Sequence, residues 1–259
     1  MEFNKKMQML FAVGGALFIW MILNVLRLLF PEGSTGGNFV IGLGGSMGGV
    51  IQFTCYAMFI YTLLELNRRA KLIDEEYAGF DDRFLPETEN LVITPDEVGK
   101  IKLQVIKQEN EDHSTFVIRE LIKKVSNQYR NNHSVGEAYQ ILESQIKMAK
   151  EVEEAKLEPT RYTLQALSML GLVGTLIGLT QAIGKAGGML DLDPAVKEQS
   201  LLTIVSNFSM AFGTTLVAIV LVLILTQRYH SLISKVDIFY SKSENYIIDN
   251  LISRIYKPS

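Results

Sequence analysis

Residues 162–183 read YTLQALSMLGLVGTLIGLTQAI, an apolar run that contains no Asp, Glu, His, Lys or Arg. A run of roughly 20 apolar residues, at a rise of about 1.5 Å per residue, is long enough for one α-helix to cross the hydrocarbon core of a bilayer. Three further apolar blocks of this kind lie at about 7–30, 39–64 and 202–226. The sequence therefore predicts an all-α, polytopic membrane protein with four transmembrane helices.

The composition narrows the class of protein. Hydrophobic residues make up 48% and charged residues 20% of the 259-residue chain, so the apolar residues must be segregated into blocks. A net charge of −3 without a basic cluster argues against nucleic acid as a partner. The single cysteine, Cys55, excludes an internal disulfide and a cysteine-based metal site, and is interpreted as a small packing residue. The three histidines have no ligand spacing, and the sequence shows no nucleophile–base pair or phosphate loop. We therefore predict no metal site, no cofactor and no enzymatic activity.

Basic residues at the ends of the blocks predict the topology, because positively charged flanks stay in the cytoplasm. Residues 31–38, PEGSTGGN, contain no Lys or Arg, and the connection at 185–200 contains only two. The other flanks carry Lys5, Lys6, Arg68, Arg69, Lys71, Arg161 and Arg228. Both termini and the middle region are therefore predicted to be cytoplasmic, and the two short connections periplasmic. Arg27 and Glu65 lie near span ends, where their side chains are expected to extend to the membrane interface.

The predicted organisation has four parts along the chain. They are a transmembrane hairpin at 1–66, a cytoplasmic helical region at 67–160, a second hairpin at 161–228 and a cytoplasmic C-terminal helix at 229–259. Hydroxyl residues followed by Glu three positions later predict helix starts at Thr94 and Ser134. The second of these helices leads into the third span, and Pro159 is expected to bend or break it at the membrane surface.

Small residues form one stripe on each of the last two spans, at helical spacing. Their members are Gly171, Gly174, Thr175 and Gly178 in the third span, and Ala211, Thr214, Thr215 and Ala218 in the fourth. Small faces let helices approach closely in lipid, and a threonine can bond the carbonyl four residues back in its own helix. A second interpretation, compatible with the first, is that the stripes line a shared polar pathway. Neither span contains an Asp, Glu, His, Lys or Arg, so an ion-binding carboxylate would have to come from another chain.

The two stripes resemble the MotA/TolQ/ExbB channel family, whose penultimate span carries Gly-x-x-Gly-Thr-x-x-Gly and whose last span carries Ala-x-x-x-Thr. These elements correspond here to 171–178 and 211–215. The resemblance implies a channel subunit of an energy-coupling complex in a bacterial inner membrane. It further implies a homopentameric ring around two copies of a single-span partner of the MotB, TolR or ExbD type, which supplies a membrane aspartate. The residues then assigned to the ion pathway are Thr175, Thr214 and Thr215, and those assigned to the helix-packing and pore stripe are Gly171, Gly174, Gly178, Ala211 and Ala218.

Within that family, four spans with cytoplasmic termini resemble the MotA branch, since TolQ and ExbB have three spans. Residues 67–76, NRRAKLIDEE, differ from the Gly-rich, Leu-Glu-containing segment that follows the second span in flagellar stators, so the machine that is driven stays open. H⁺ is the predicted transported ion, and Na⁺ is the alternative because the adjacent pair Thr214 and Thr215 is more typical of sodium-type relatives. The alternative function is a non-conducting oligomeric scaffold of a transport or motility apparatus.

Overall fold

The computed structural model describes residues 2–31, 34–45, 49–86, 92–112 and 115–255. The helices are α1 (Glu2–Leu28), α2 (Thr35–Gly42), α3 (Val50–Glu76), α4 (Pro95–Asp112), α5 (Val117–Asn132), α6 (Val135–Lys185) and α7 (Pro194–Asn250). Within the described ranges there is no β-strand, only an isolated parallel bridge between Ile93 and Ile255. The prediction of an all-α fold is confirmed.

Four helical stretches are long and apolar enough to cross a membrane. They are Lys5–Leu28, Val50–Phe80, Val135–Leu190 and Pro194–Arg254. Their number agrees with the four predicted spans, and their composition agrees with a multi-pass membrane protein.

The prediction of one continuous helix over 39–64 is wrong, because α2 ends at Gly42 and α3 begins at Val50. The break follows from the glycines between them, which cost about 1 kcal/mol each in a helix relative to alanine. Gly44 has a φ of 109°, a conformation that residues with side chains rarely adopt. The N–H groups of Gly44 and Gly45 bond back into the last turn of α2, in the pattern of a Schellman cap.

The predicted turn at 31–38 is also shorter than expected, because α2 already begins at Thr35. Ser34 caps this helix by accepting the N–H of Gly37 at 3.1 Å. Residues 32–33 of that turn, residues 46–48 of the glycine-rich segment, and His113 lie outside the described residues.

Pro159 does not break its helix, since α6 runs from Val135 to Lys185 through it. A proline removes one intrahelical hydrogen bond, but the bonds before and after it hold the helix together. The carbonyl of Pro159 itself accepts the Thr163 hydroxyl at 2.9 Å. α7 likewise continues without interruption to Asn250, past the predicted end of the fourth span.

Contacts divide the chain into two compact units, the first of which comprises Met1–Asn67 and Glu158–His230. Its buried apolar side chains include Ala12, Ala16, Leu66, Leu167 and Leu225. Cys55 is buried with them, as expected of a packing residue. Glu65 is also buried, with 8% of its surface exposed, so its side chain packs against the protein, and its place relative to the membrane interface stays a prediction. The buried position of Glu65 is a consequence of helix packing that its place in the sequence does not show.

The second unit comprises Arg68–Leu157 and Ser231–Ser259. Its most buried charged group is Arg119, which lies 2.6 Å from Asp82 and 3.0 Å from Asp112. The guanidinium also lies over the rings of Phe84 and Phe116, at 5.5 and 4.8 Å from their centroids. Ion pairs and cation–π contacts together compensate the burial of this charge.

Both predicted capping residues of the second unit begin helices. The carboxylate of Glu97 accepts the backbone N–H of Thr94 at 2.7 Å and its hydroxyl at 2.9 Å. These two hydrogen bonds hold the pKa of the Glu97 carboxyl below its ordinary value. Ser134 accepts the N–H of Glu137 at 3.3 Å at the start of α6. The two helix starts predicted from the capping-box spacing are therefore confirmed.

Candidate functional site

The two small-residue stripes face each other along the antiparallel pair α6 and α7. A methyl group built on Gly171 would lie 2.6 Å from the Cβ of Ala218, and one on Gly178 would lie 2.6 Å from the Cβ of Ala211. Between them, Gly174 faces the side chain of Thr214. Each glycine therefore leaves the space that one side chain of the opposite helix fills, which brings the two backbones close together.

A cluster of three hydroxyl groups lies within this contact. Thr175 Oγ1 is 3.0 Å from the carbonyl of Ala211 across the helix pair and 3.2 Å from that of Gly171 in its own helix. Thr215 Oγ1 is 3.0 Å from the carbonyl of Gly171, and the Thr175 and Thr215 hydroxyls contact each other. Thr214 Oγ1 is 2.8 Å from the carbonyl of Ala211. The threonines thus bond between helices as well as within them.

The proton count of the cluster shows what it can accept. Each hydroxyl has one proton to donate, and the carbonyls of Gly171 and Ala211 and the contact between Thr175 and Thr215 share these three protons. A hydroxyl oxygen has two lone pairs, so Thr175 and Thr215 keep acceptor capacity beyond their contact with each other, and both side chains are half-buried. Thr214 is different, because it is only 2% exposed and packs against Gly174. Two half-buried threonines therefore lie beside one buried threonine.

The two spans that carry the cluster have no charged side chain. Residues 162–183 and 202–226 contain no Asp, Glu, His, Lys or Arg. At one end of the first of these segments, Arg161 forms an exposed ion pair with Glu158 at 2.7 Å. Hydroxyl and carbonyl dipoles can solvate part of a cation, but they cannot neutralise its charge in a low-dielectric setting. The cluster therefore requires an opposite charge from elsewhere if an ion is to occupy it.

The end of α2 also contacts α7 near the hydroxyl cluster, a contact that the sequence did not predict. A methyl group on Gly42, the last residue of α2, would lie 2.8 Å from the carbonyl of Ser209 and 3.3 Å from the Cα of Gly213. Gly213 directly precedes Thr214 in α7. Two signals could have pointed to this contact: the glycine-rich segment that interrupts the second apolar block, and a polar residue, Gln52, shortly after it.

The described helices define a polytopic helical membrane protein with a neutral hydroxyl cluster inside a transmembrane hairpin. The family model of the MotA/TolQ/ExbB proton channel family matches residues 110–245, more than half of the chain, and the chain belongs to this family. The resemblance seen in the sequence is thereby confirmed. Proton-channel-like energy coupling is the general role of the family, and its members associate with single-span partners such as MotB, TolR and ExbD. No curated protein and no solved structure matches the chain.

Proposed function

We propose that this chain is the ion-conducting, stator-like subunit of an inner-membrane energy-coupling complex, in which H⁺ flow drives motion or force in a partner subunit. The observation that carries the proposal is the pair of half-buried hydroxyls, Thr175 and Thr215, hydrogen-bonded across the contact between α6 and α7. Membership of the proton channel family supports the same role. Na⁺ is the alternative ion.

The single-span partner supplies the charge that the cluster lacks. A proton or cation in a low-dielectric region needs an ionisable group, and a carboxylate is the usual one. Since 162–183 and 202–226 have none, an aspartate on the partner helix fits beside Thr175 and Thr215. Thr214 is too buried to meet that aspartate directly, so its hydroxyl acts by holding the carbonyl of Ala211 in place.

Five copies of the chain form the ring around two partner helices in this proposal. Exposed apolar side chains on both helices support lateral association or lipid contact, among them Leu172, Leu176, Phe212, Leu216 and Ile219. The termini and the middle region lie in the cytoplasm, where the second unit transmits or receives force. A non-conducting scaffold is the alternative, favoured by the close packing of Gly171 and Gly178 against alanines.

The decisive experiment measures ion flux in vesicles that contain the chain together with its single-span partner. Thr175→Val and Thr215→Val retain the side-chain shape and remove the oxygen, so flux should fall roughly tenfold to a hundredfold. Thr180→Val is the matched control, because the Thr180 hydroxyl is exposed and bonds the carbonyl of Leu176 in its own helix at 2.8 Å. It should keep its flux.

Complex size, measured on the same variants, separates the two functions. Wild-type flux in both Thr175→Val and Thr215→Val would show that the two hydroxyls serve packing only and lie outside the ion pathway. Absence of flux from wild-type vesicles would exclude the conducting role and leave the scaffold. Loss of the ring in both variants would show that the hydroxyls act in assembly. Loss of flux with an intact complex would establish the channel.

A further inference from the structure

The break between α2 and α3 places irregular backbone inside the first unit. A methyl group on Gly45 would lie 2.9 Å from the carbonyl of Leu23 in α1. Leu23 precedes the end of α1 at Leu28 by five residues, which is about 7.5 Å along the helix axis. The break is therefore level with the inside of a membrane-length helix, where unpaired backbone groups are costly because water cannot satisfy them.

Every carbonyl at the end of α2 has a partner. Three of them accept a backbone N–H from just after the helix. The N–H of Leu43 donates to the carbonyl of Phe39 at 3.0 Å, that of Gly44 to Ile41 at 3.0 Å, and that of Gly45 to Val40 at 2.9 Å. The other two accept side chains of α3. Gln52 Nε2 donates to the carbonyl of Gly42 at 3.2 Å, and the Tyr56 hydroxyl donates to that of Leu43 at 2.9 Å. The break is thus held by two polar side chains from the next helix.

The carbonyl that Gln52 holds belongs to the residue that touches α7. Gly42 lies against Ser209 and Gly213, and Gly213 has no space for a side chain because the backbone of Gly42 occupies it. On its other side, α7 packs through Thr214 on Gly174. At the level of the hydroxyl cluster, α7 is therefore confined between the end of α2 and α6.

We propose that Gln52 is a positioning residue for the Thr175 and Thr215 hydroxyls, acting through Gly42 and Gly213. This inference rests on the proposed conducting function. Gln52 is 1% exposed, so water cannot replace its amide when the side chain is removed. Among the described residues Gln52 is the donor to the Gly42 carbonyl, so removing the amide lets the end of α2 move and releases its hold on α7. The interhelical bonds at 3.0 Å are then lost with a shift of less than about 1 Å, because hydrogen bonds weaken steeply beyond about 3.5 Å.

Three variants on one helix test this role in the full chain with its partner. Gln52→Leu removes the donor and should lower flux about tenfold. Gln52→Glu can donate to Gly42 only when its carboxyl is protonated. Its flux, expressed as a ratio to wild type at each pH, should therefore rise as the pH falls. Thr54→Val is the control, since the Thr54 hydroxyl bonds the carbonyl of Val50 in its own helix at 2.8 Å.

A second readout does not depend on ion flow. In a Cys55→Ala background, the Thr215→Cys thiol reacts with N-ethylmaleimide at a rate set by its exposure beside α6. Gln52→Leu should change that rate about threefold or more, whereas Thr54→Val should leave it unchanged. This measurement tests the position of the side chain even where no flux is found.

The outcomes separate this inference from the proposed function. If wild-type vesicles conduct nothing, the proposed function fails; if Thr175→Val conducts normally, the hydroxyl pathway fails. In either case the thiol rate alone decides whether Gln52 positions residue 215. If Thr175→Val loses flux but Gln52→Leu keeps it with an unchanged thiol rate, only the positioning role is overturned. A Gln52→Glu flux ratio that is low at every pH, together with loss of the complex, would also overturn it, since Gln52 would then act in assembly.

Discussion

Replacing Gly171 by alanine tests the packing that brings α6 and α7 together. The new methyl group would lie 2.6 Å from the Cβ of Ala218, about 1 Å inside the usual carbon–carbon contact distance. Overpacking of this kind costs about 1–3 kcal/mol, and replacing a helical glycine by alanine returns about 1 kcal/mol. We therefore expect Gly171→Ala to destabilise the protein by up to about 2 kcal/mol, a fall in Tm of up to about 8 °C.

A second substitution should restore the contact at this position. Once Ala218→Gly removes the opposing Cβ, the nearest atoms to the new methyl group are the Cα of Thr215 at 3.4 Å and the carbonyl of Thr214 at 3.5 Å. These are ordinary contacts, and the helix propensities of the two changes cancel. The double variant should therefore regain wild-type stability within about 0.5 kcal/mol.

The same exchange should fail about two turns away on each helix. For Gly178→Ala, removing the Cβ of Ala211 still leaves the Cα of Ala211 and the carbonyl of Asn207 at 2.9 Å. Backbone atoms cannot rotate away, so the double change should rescue little.

The assay is thermal unfolding of the purified complex in detergent, followed by size-exclusion chromatography. Gly184→Ala is the control, since nothing lies within 4 Å of a methyl group at that position of α6. It should be neutral or stabilising. Equal Tm values for Gly171→Ala and Gly184→Ala, or equal rescue at both pairs, would refute the proposed register of α6 and α7.

Three further predictions concern the second unit and the topology. Arg119→Met leaves Asp82 without its cation and should destabilise the second unit by about 2–4 kcal/mol. The measurement is the rate of proteolysis, which should rise; an unchanged rate would contradict a stabilising role of Arg119. The pKa of the Glu97 carboxyl is lowered in the folded protein, so the ionised carboxylate stabilises the folded state at pH values above its unfolded pKa of about 4.3. This stabilisation is lost as the pH falls through the folded pKa. In that pH range, amide hydrogen exchange at the start of α4 should become faster than the intrinsic pH dependence of exchange explains. Glu97→Gln still accepts hydrogen bonds but does not titrate, so it should not show this additional acceleration. In a cysteine-free background, an impermeant thiol reagent on intact cells should label Leu192→Cys, at a site 94% exposed. It should not label Leu103→Cys, at a site 66% exposed. The reverse labelling pattern would show that the topology is inverted.

Features set by neighbouring residues were readable from the sequence. The length of an apolar run decides whether a helix can cross a membrane, so four spans could be predicted without any knowledge of packing. Capping also depends on side chains three residues apart, and the helix starts after Thr94 and Ser134 followed from that spacing. The small-residue stripe on each of the last two spans is a property of helical periodicity alone.

The second span shows why such reasoning fails elsewhere. Glycine counts as neutral in a hydropathy window, so 39–64 appeared to be one uninterrupted block. A break there is stable only when its backbone groups are satisfied, and the donors come from Gln52 and Tyr56 on the following helix. At Pro159 the sequence favours a break, yet α6 is continuous, because cooperative helix formation on both sides of the proline stabilises one helix.

The hydroxyl cluster itself depends on contacts between residues far apart in the chain. From sequence, each threonine could bond its own helix, and nothing local distinguishes Thr214 from Thr215. Only the approach of α7 to the glycine face of α6 buries Thr214 and leaves Thr175 and Thr215 half-exposed. Residues 175 and 211 are 36 positions apart, and their 3.0 Å bond exists because small side chains let two backbones meet in space.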